Sequence, residues 1–418
     1  MNRIVLIGNG FDLAHGLKTS YADFINWYWE QWKERLLKSK AQIEKDELCS
    51  FKIDSAFHNN RLGTLINNYY PTWCNLSAQE FIKNISTNLL EIEVHIPPLL
   101  NRINDSIIDK KWVDIERVYY TLLCDTLKEN SKINVDDLNN QLQALTNKLC
   151  EYLKDVEENN GQEINKAIKE KIYEPIKLQD IAVETEETVK QYFKDRCAKI
   201  HILNLLEKYQ KIGILKNYDL EMLRISYKDD FGHYMQRDYK FSTLPERILL
   251  VNFNYTNIAD QYVPEDQEIA IVNHIHGTLE EPESMIFGYG DEIDKRYMEL
   301  SDLEDNRYMK NIKSHRYLER NKYRELLKFA NSDEYQIYIM GHACGNSDRT
   351  LLNTLFEHEN CVSIKPFYYQ KTNGTDNYRE LVQNISRNFK DKKLLRDRVV
   401  NKTYCEPMPQ AKLATDKN

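Results

Sequence analysis

Arg3-Ile-Val-Leu-Ile7 runs directly into Gly8-Asn-Gly10. Uniform apolar character from Ile4 to Ile7, closed by glycine, predicts a parallel strand covered on both faces, with a tight turn into a helix at its carboxyl end. Three further runs have the same form. Ile248-Leu-Leu-Val251 precedes Asn252-Phe-Asn-Tyr-Thr256, Ile269-Ala-Ile-Val272 precedes His274-Ile-His-Gly277, and Ile337-Tyr-Ile-Met340 precedes Gly341. Glycine is scarce, yet eight of the 13 fall at Gly8, Gly10 and Gly16, at Gly277, at Gly288 and Gly290, and at Gly341 and Gly345. Glycine is needed where backbone turns sharply or makes a close approach without a Cβ in the way. Parallel sheets bind their ligands at the carboxyl ends of the strands, where these clusters fall. A nucleotide-binding α/β domain is the expectation.

Between the first run and the second the pattern changes. Trp27, Trp29 and Trp32 lie in a helical stretch from about Thr19 to Ser39, with Thr19 or Ser20 as N-cap. Leu138, Leu142, Leu145, Leu149 and Leu153 follow the spacing of an amphipathic helix, and Asp136 and Asp137 complement its positive end. Another helix is expected from about Ile181 to Tyr209, and Glu157-Glu-Asn-Asn-Gly161 reads as an acidic linker. The organisation expected is an α/β domain over residues 1–39 and 241–400, an all-helical insertion over 40–240 and a tail over 401–418. The insertion is expected to lid the strand-end cleft and to make homo-oligomer contacts through Leu142 and Leu149. The alternative is that its helices pack on themselves.

Composition removes several classes. Gly and Pro together number 23 of 418 residues, under half the usual share, which argues against collagen-like, linker-rich and turn-dense all-β chains. A net charge of −8 without a basic block argues against nucleic acid as a partner. The run Ile4–Ile7 is too short for a signal peptide, and no apolar stretch of about 18 residues suggests a membrane span. Eight cysteines without a C-x-x-C spacing fit reduced thiols in the cytoplasm rather than a zinc ribbon or a disulfide scaffold.

The strand ends carry the candidate chemistry. Gly8-Asn-Gly10 begins a phosphate-cradling turn, or is simply a tight strand–helix turn; the third glycine of the dinucleotide fingerprint is replaced by Leu13. Asn254 sits where a strand should end, as a site residue or a helix cap. His274 and His276 alternate along a strand and so share a face, one buried and one exposed, or together a metal pair. Gly341-His-Ala-Cys-Gly-Asn-Ser-Asp348 opens a helix, with Ser347 or Asp348 as cap. No base is evident for Cys344 as a nucleophile.

Ile7-Gly-Asn-Gly-Phe-Asp-Leu-Ala-His-Gly16 with Thr19-Ser-Tyr, Trp112-Val-Asp-Ile-Glu116, Asn252-Phe-Asn-Tyr-Thr256, His274-Ile-His-Gly277 and Gly341-His with Ser347-Asp348 together resemble the AbiH family of bacterial abortive-infection proteins. More distantly they resemble the sirtuin-like NAD-cleaving effectors of antiphage defence. The resemblance implies a sirtuin-like, Rossmann-type parallel sheet and a role in arresting an infected cell. By that resemblance Gly8, Asn9, Gly10, Phe11 and Asp12 fall on the dinucleotide-binding turn, Asn254 and His276 on the catalytic pair, and Gly341 on the late glycine that faces the phosphates. Thr19, Glu116, Thr256, His342 and Asp348 complete the implied nucleotide site. Thr256 and Asp12 depart from the sirtuin-like pattern, which has Asp and a small Ser there.

The implied activity is hydrolysis of NAD+, as substrate rather than cofactor, with no metal required. Nicotinamide leaves as a neutral group from a cationic ribose. The site therefore needs a residue to position water or a ribose hydroxyl, which suits Asn254, and a base near neutrality, which suits His276. Expected partners are NAD+ or a related nucleotide, a second copy of the chain, and a phage-encoded trigger or partner defence protein. Rival readings are a non-hydrolytic sensor of an ADP-ribose-like nucleotide, a nuclease or other toxin, and last a Rossmann oxidoreductase.

Overall fold

The structure is a computed structural model that describes the chain except residues 70, 111–112, 160–162, 198–200, 216–242, 266 and 411–418. Strand β1 (Asn2–Ile7) opens the chain, and β2 (Ile43–Lys45), β3 (Ser50–Ile53) and β4 (Ile92–His95) form a small antiparallel sheet. Strands β5 (Ile248–Asn252), β6 (Ala270–His274), β7 (Tyr335–Met340) and β8 (Cys361–Phe367) join β1 in a five-stranded parallel sheet of order β6-β5-β1-β7-β8. Numbered within that sheet, the order is 3-2-1-4-5. The chain builds outward from β1 to one side and then to the other, so the carboxyl ends of β1 and β7 flank the switch point where such sheets open a crevice.

Alternation along β1 divides its side chains between two cores. Ile4 and Leu6 join Leu249, Val251, Ile337 and Ile339 beneath the helices Lys322–Ala330, Arg349–Phe356 and Tyr378–Arg387. Val5 and Ile7 face the other way, into one continuous core with the insertion. That core includes Phe24 and Trp29 of α2 (Tyr21–Lys38), which follows the short α1 (Asn9–Ala14). It also holds residues of α3 (Leu62–Tyr69), α4 (Ala78–Asn88), α5 (Pro98–Lys110), α6 (Ile115–Asp125) and α7 (Val135–Asn159).

The leucine stripe of α7 lies inside this core. Leu138, Leu142, Leu145, Leu149 and Leu153 are all at most 4% exposed. Each buried leucine contributes roughly 1.5–3 kcal/mol. The expected oligomer seam at Leu142 and Leu149 is therefore corrected: the stripe already has its partner within the chain, and the alternative of self-packing helices holds.

Other expectations meet the structure in detail. Ser20 is the cap of α2 and accepts from the Asp23 amide at 3.1 Å. Asn134 does the same for α7, accepting from Asp136 and Asp137. The insertion is not all-helical, because β2–β4 lie within it; Phe51 and Ile53 turn inward while Lys52 pairs outward with Glu93 at 2.8 Å. Strands this short show too little alternation to stand out in a sequence. Glu157 belongs to the last turn of α7 rather than to a linker. The stretch expected as a helix from about Ile181 to Tyr209 is helical over Glu186–Cys197 and His201–Lys211, begins at Glu186 rather than Ile181, and has residues 198–200 outside the described residues. The expected tail is packed as far as Met408, where Pro407 bridges Tyr368 and Met408 is buried; residues 411–418 lie outside the described residues. Among the described residues no helix is long and apolar enough to cross a membrane.

Candidate functional site at the strand ends

At the switch point two turns touch backbone to backbone. The Gly8 amide donates to the Met340 carbonyl at 3.3 Å and the Gly10 amide to the Gly341 carbonyl at 2.9 Å. A Cβ on Gly341, whose φ is +78°, would stand 2.1 Å from the Phe11 nitrogen, and one on Gly8 would stand 2.6 Å from the His342 Cα. These glycines are required by each other. The Gly10 amide, expected to face a phosphate, is already engaged by Gly341. Asn9 is exposed at the rim, where Thr19 Oγ1 donates to its Oδ1 at 2.6 Å.

The loop after β5 folds on its own side chains. Asn252 Oδ1 accepts from the Asn254 amide at 3.1 Å, and Asn252 Nδ2 donates to the Thr256 carbonyl at 2.9 Å. This turn aims Asn254 across the sheet. Its Nδ2 donates to the Gly8 carbonyl at 3.0 Å and to Asp12 Oδ1 at 2.7 Å, while Thr256 Oγ1 donates to Asp12 Oδ2 at 2.8 Å. Asn254 is thus not a helix cap; the short 3-10 helix Ile258–Tyr262 that follows has Asn257 at its cap position. Asp12 is only 2% exposed and is held by neutral donors, and burial, reinforced by Glu157, pushes its carboxyl up to about 7.

His276 lies two residues past the end of β6 and does not share a face with His274. The His274 ring pairs with Asp260 at 3.0 Å and lines an open groove of about 800 Å³ with Asn257, Glu280, Arg320 and Lys322. The His276 ring turns inward instead. Nδ1 is 3.2 Å from the Phe253 carbonyl, and that carbonyl belongs to the residue before Asn254. Nε2 is 3.0 Å from the Tyr317 hydroxyl and 3.3 Å from Asp348 Oδ1. A carbonyl only accepts, so Nδ1 carries a proton. Both remaining partners then meet the same nitrogen, which differs from a catalytic relay, where base and orienting carboxylate use opposite ring nitrogens. Burial, followed by the nearby Lys313 charge, lowers His276 to about 4, so it is neutral at physiological pH.

Behind His276 is a sealed cluster of charges. Lys313 Nζ lies 2.8 Å from both Glu116 Oε2 and Asp348 Oδ1. Asp348 Oδ2 is 3.4 Å from His342 Nε2. His342 Nδ1 accepts from the Cys344 amide at 3.0 Å, which places its proton on Nε2, toward Asp348. Burial opposes charge on both carboxylates. It prevails at Glu116, pushed up to about 8, and fails at Asp348, which Lys313 and then His276 hold well below the usual range. Burial also opposes the Lys313 charge, but Asp348 and Glu116 outweigh it and raise the ammonium. Glu116 Oε1 also accepts from the Gly288 amide at 3.2 Å, so the insertion supplies a wall of the site.

Gly8, Asn254, His276 and Gly341 thus converge through Gly8, the Phe253 carbonyl and the Phe253 ring, whose centroid lies 4.1 Å from that of His342. Phe11 packs in the insertion core rather than facing the crevice. Trp112 lies outside the described residues, and α6 begins after its cap Asp114 with Glu116 in its first turn. Cys344 is buried and its thiol is pushed up by burial, which disfavours a nucleophile.

Lys313 and Tyr317 were missed by sequence reasoning. A usable signal was present in Gly288 and Gly290. A Cβ on Gly288 would stand 2.0 Å from the Asn311 carbonyl oxygen, so this glycine pair marks where the segment bearing Lys313 crosses close by. Among the described residues no cluster of three His, Cys, Asp or Glu side chains is arranged for a metal. No curated protein and no solved structure matches the chain. The family model "Bacteriophage abortive infection AbiH" matches residues 4–370, and with the strand-end motifs all inside that span, the chain belongs to the AbiH family.

Proposed function

We propose that this chain is an abortive-infection effector that hydrolyses NAD+ to nicotinamide and ADP-ribose in the crevice between β1, β5 and β7. The observation that carries this reading is the fixed Asn254 amide. Both its N–H groups are held by Gly8 and Asp12, while Oδ1 makes no hydrogen bond to any described residue and the side chain is half-buried beside Gly8. An oriented acceptor at the switch point suits a water or ribose hydroxyl attacking the anomeric carbon. In the reaction the ribosyl–nicotinamide C–N bond breaks, water supplies the new C–O bond, and one proton is released. In this reading that proton goes to Nε2 of the neutral His276, the nitrogen that the Phe253 carbonyl leaves unprotonated, by way of the Tyr317 hydroxyl bonded to it. A weak base is enough, because water attacking a ribosyl cation becomes acidic as it bonds.

A binding-only module for an ADP-ribose-like nucleotide is the second reading, favoured by the burial of His276 and the engaged Gly10 amide. Purified protein from phage-challenged cells, incubated with NAD+, should release nicotinamide, and Asn254→Ala and His276→Ala should each reduce release by at least about 100-fold. Nucleotide binding without nicotinamide release would favour the sensor and overturn the hydrolase.

A further inference from the structure

Asp12 is a buried carboxyl with no cation beside it among the described residues. Its oxygens accept from two neutral donors, Asn254 Nδ2 and Thr256 Oγ1, and the charged side chain that acts on it is Glu157 of α7, of its own sign. Buried carboxylates are ordinarily paired with a cation or a metal. The cationic partner at this end of the sheet, Lys313, is committed instead to Glu116 and Asp348. The lone acid lies in the first helix after β1, against the loop that carries Asn254.

We propose that Asp12 is a positioning residue that fixes the Asn254 side chain with its nitrogen inward and its oxygen presented to the crevice. With Asp12 ionised, the inward atom of Asn254 faces a carboxylate oxygen at 2.7 Å and the Gly8 carbonyl at 3.0 Å. Both only accept, so the inward atom must be the NH2, and Oδ1 is left outward. A protonated Asp12 is a donor, and the Thr256 hydroxyl can turn to accept that proton while Oδ1 still meets Asn254 Nδ2. The bond to Asn254 then loses its ionic character, so the amide is held inward only by a neutral contact and by the Gly8 carbonyl. Burial and the facing Glu157 place this change close to neutral pH, at about 7. The outward oxygen is therefore held firmly above that pH and loosely below it.

This inference rests on the crevice being the site of the proposed NAD+ hydrolysis, but its first test does not need turnover. In deuterated protein carrying 15N-asparagine, with the Asn254 signal assigned through Asn254→Ala, the side-chain NH2 resonance should titrate with a midpoint near pH 7. The shift should vanish in Asp12→Asn, which keeps the size of the side chain and removes its charge. A flat Asn254 resonance between pH 5.5 and 8.5 in the native protein overturns the proposal, and that arm needs no variant to fold. If NAD+ is hydrolysed, kcat should rise through the same pH range in the native protein and lose that rise in Asp12→Asn, with KM changed by less than about 3-fold. An Asp12→Asn enzyme that keeps the native rising limb overturns it as well. Absence of turnover together with a titrating Asn254 would refute the hydrolase while leaving Asp12 in its positioning role.

Discussion

The two faces of the parallel sheet are covered by material of different origin. Beneath Ile4, Leu6 and Ile337 lie the helices Lys322–Ala330, Arg349–Phe356 and Tyr378–Arg387, each next in sequence to a strand it covers. Above Val5, Ile7 and Met340 lies the insertion, whose helices belong to no strand crossover of the usual length. One layer comes from ordinary strand–helix alternation and the other from a segment that would be taken for an added domain. Yet the insertion closes the core as fully as the other layer does. Glu116 from the insertion and Asp348 from the opposite side then meet on a single ammonium, Lys313.

The largest expected effect lies at that junction. Lys313→Met leaves two buried carboxylates without their cation and should cost about 3–5 kcal/mol in chemical denaturation. The loss should grow with pH. Glu116, raised from the ordinary 4.5 to about 8, keeps a proton in the folded protein that the unfolded chain gives up, so folded stability already falls as pH climbs between those values. Without Lys313 the Glu116 carboxyl is pushed higher still, so the variant goes on losing stability above about pH 8, where the native Glu116 has already ionised. Equal losses at pH 6 and pH 8.5 would mean that the junction is not electrostatic.

Next in size are core truncations on the two faces. Leu145→Ala in the insertion and Leu352→Ala in the helix Arg349–Phe356 should each cost about 2–5 kcal/mol and shift one shared unfolding transition in calorimetry. Two transitions, with Leu145→Ala moving only one of them, would separate the insertion from the sheet and break the comparison. The smallest expected effect is at the entrance to the insertion. Ser20→Ala removes the cap of α2 and should cost about 1 kcal/mol in the same transition.

Much of the fold was legible because parallel strands sealed on both faces are written as short apolar runs. Three runs correspond to β1, β5 and β7, and the fourth lies slightly ahead of β6. β8 was not legible. Cys361-Val-Ser-Ile-Lys-Pro-Phe367 contains a buried lysine, made tolerable by Asp180 at 2.8 Å across 185 positions of sequence, and a proline suited to an edge strand. The site was half legible. Asn254, His276, Glu116 and Asp348 stood in motifs, whereas Lys313 stood alone in an unpatterned stretch, and one lysine has no period to betray it. The glycines were found for a reason that differs from their contacts: Gly8, Gly10 and Gly341 permit two turns to meet, whatever ligand the crevice takes.

The sheet order also governs when this protein comes into being. β1 is synthesised before the other four strands of the sheet and sits in their middle, yet its neighbours arrive late, since Arg3 pairs with Ile248 and Asn2 with Tyr335. At roughly 5–20 residues per second, the nascent chain waits on the order of tens of seconds before its first strand gains either neighbour. During that time Asn254, Gly341 and Asp348 have not all left the ribosome, so the crevice has no existence. Translation itself holds the site unbuilt until β7 and the segment after it, with Gly341 and Asp348, have emerged.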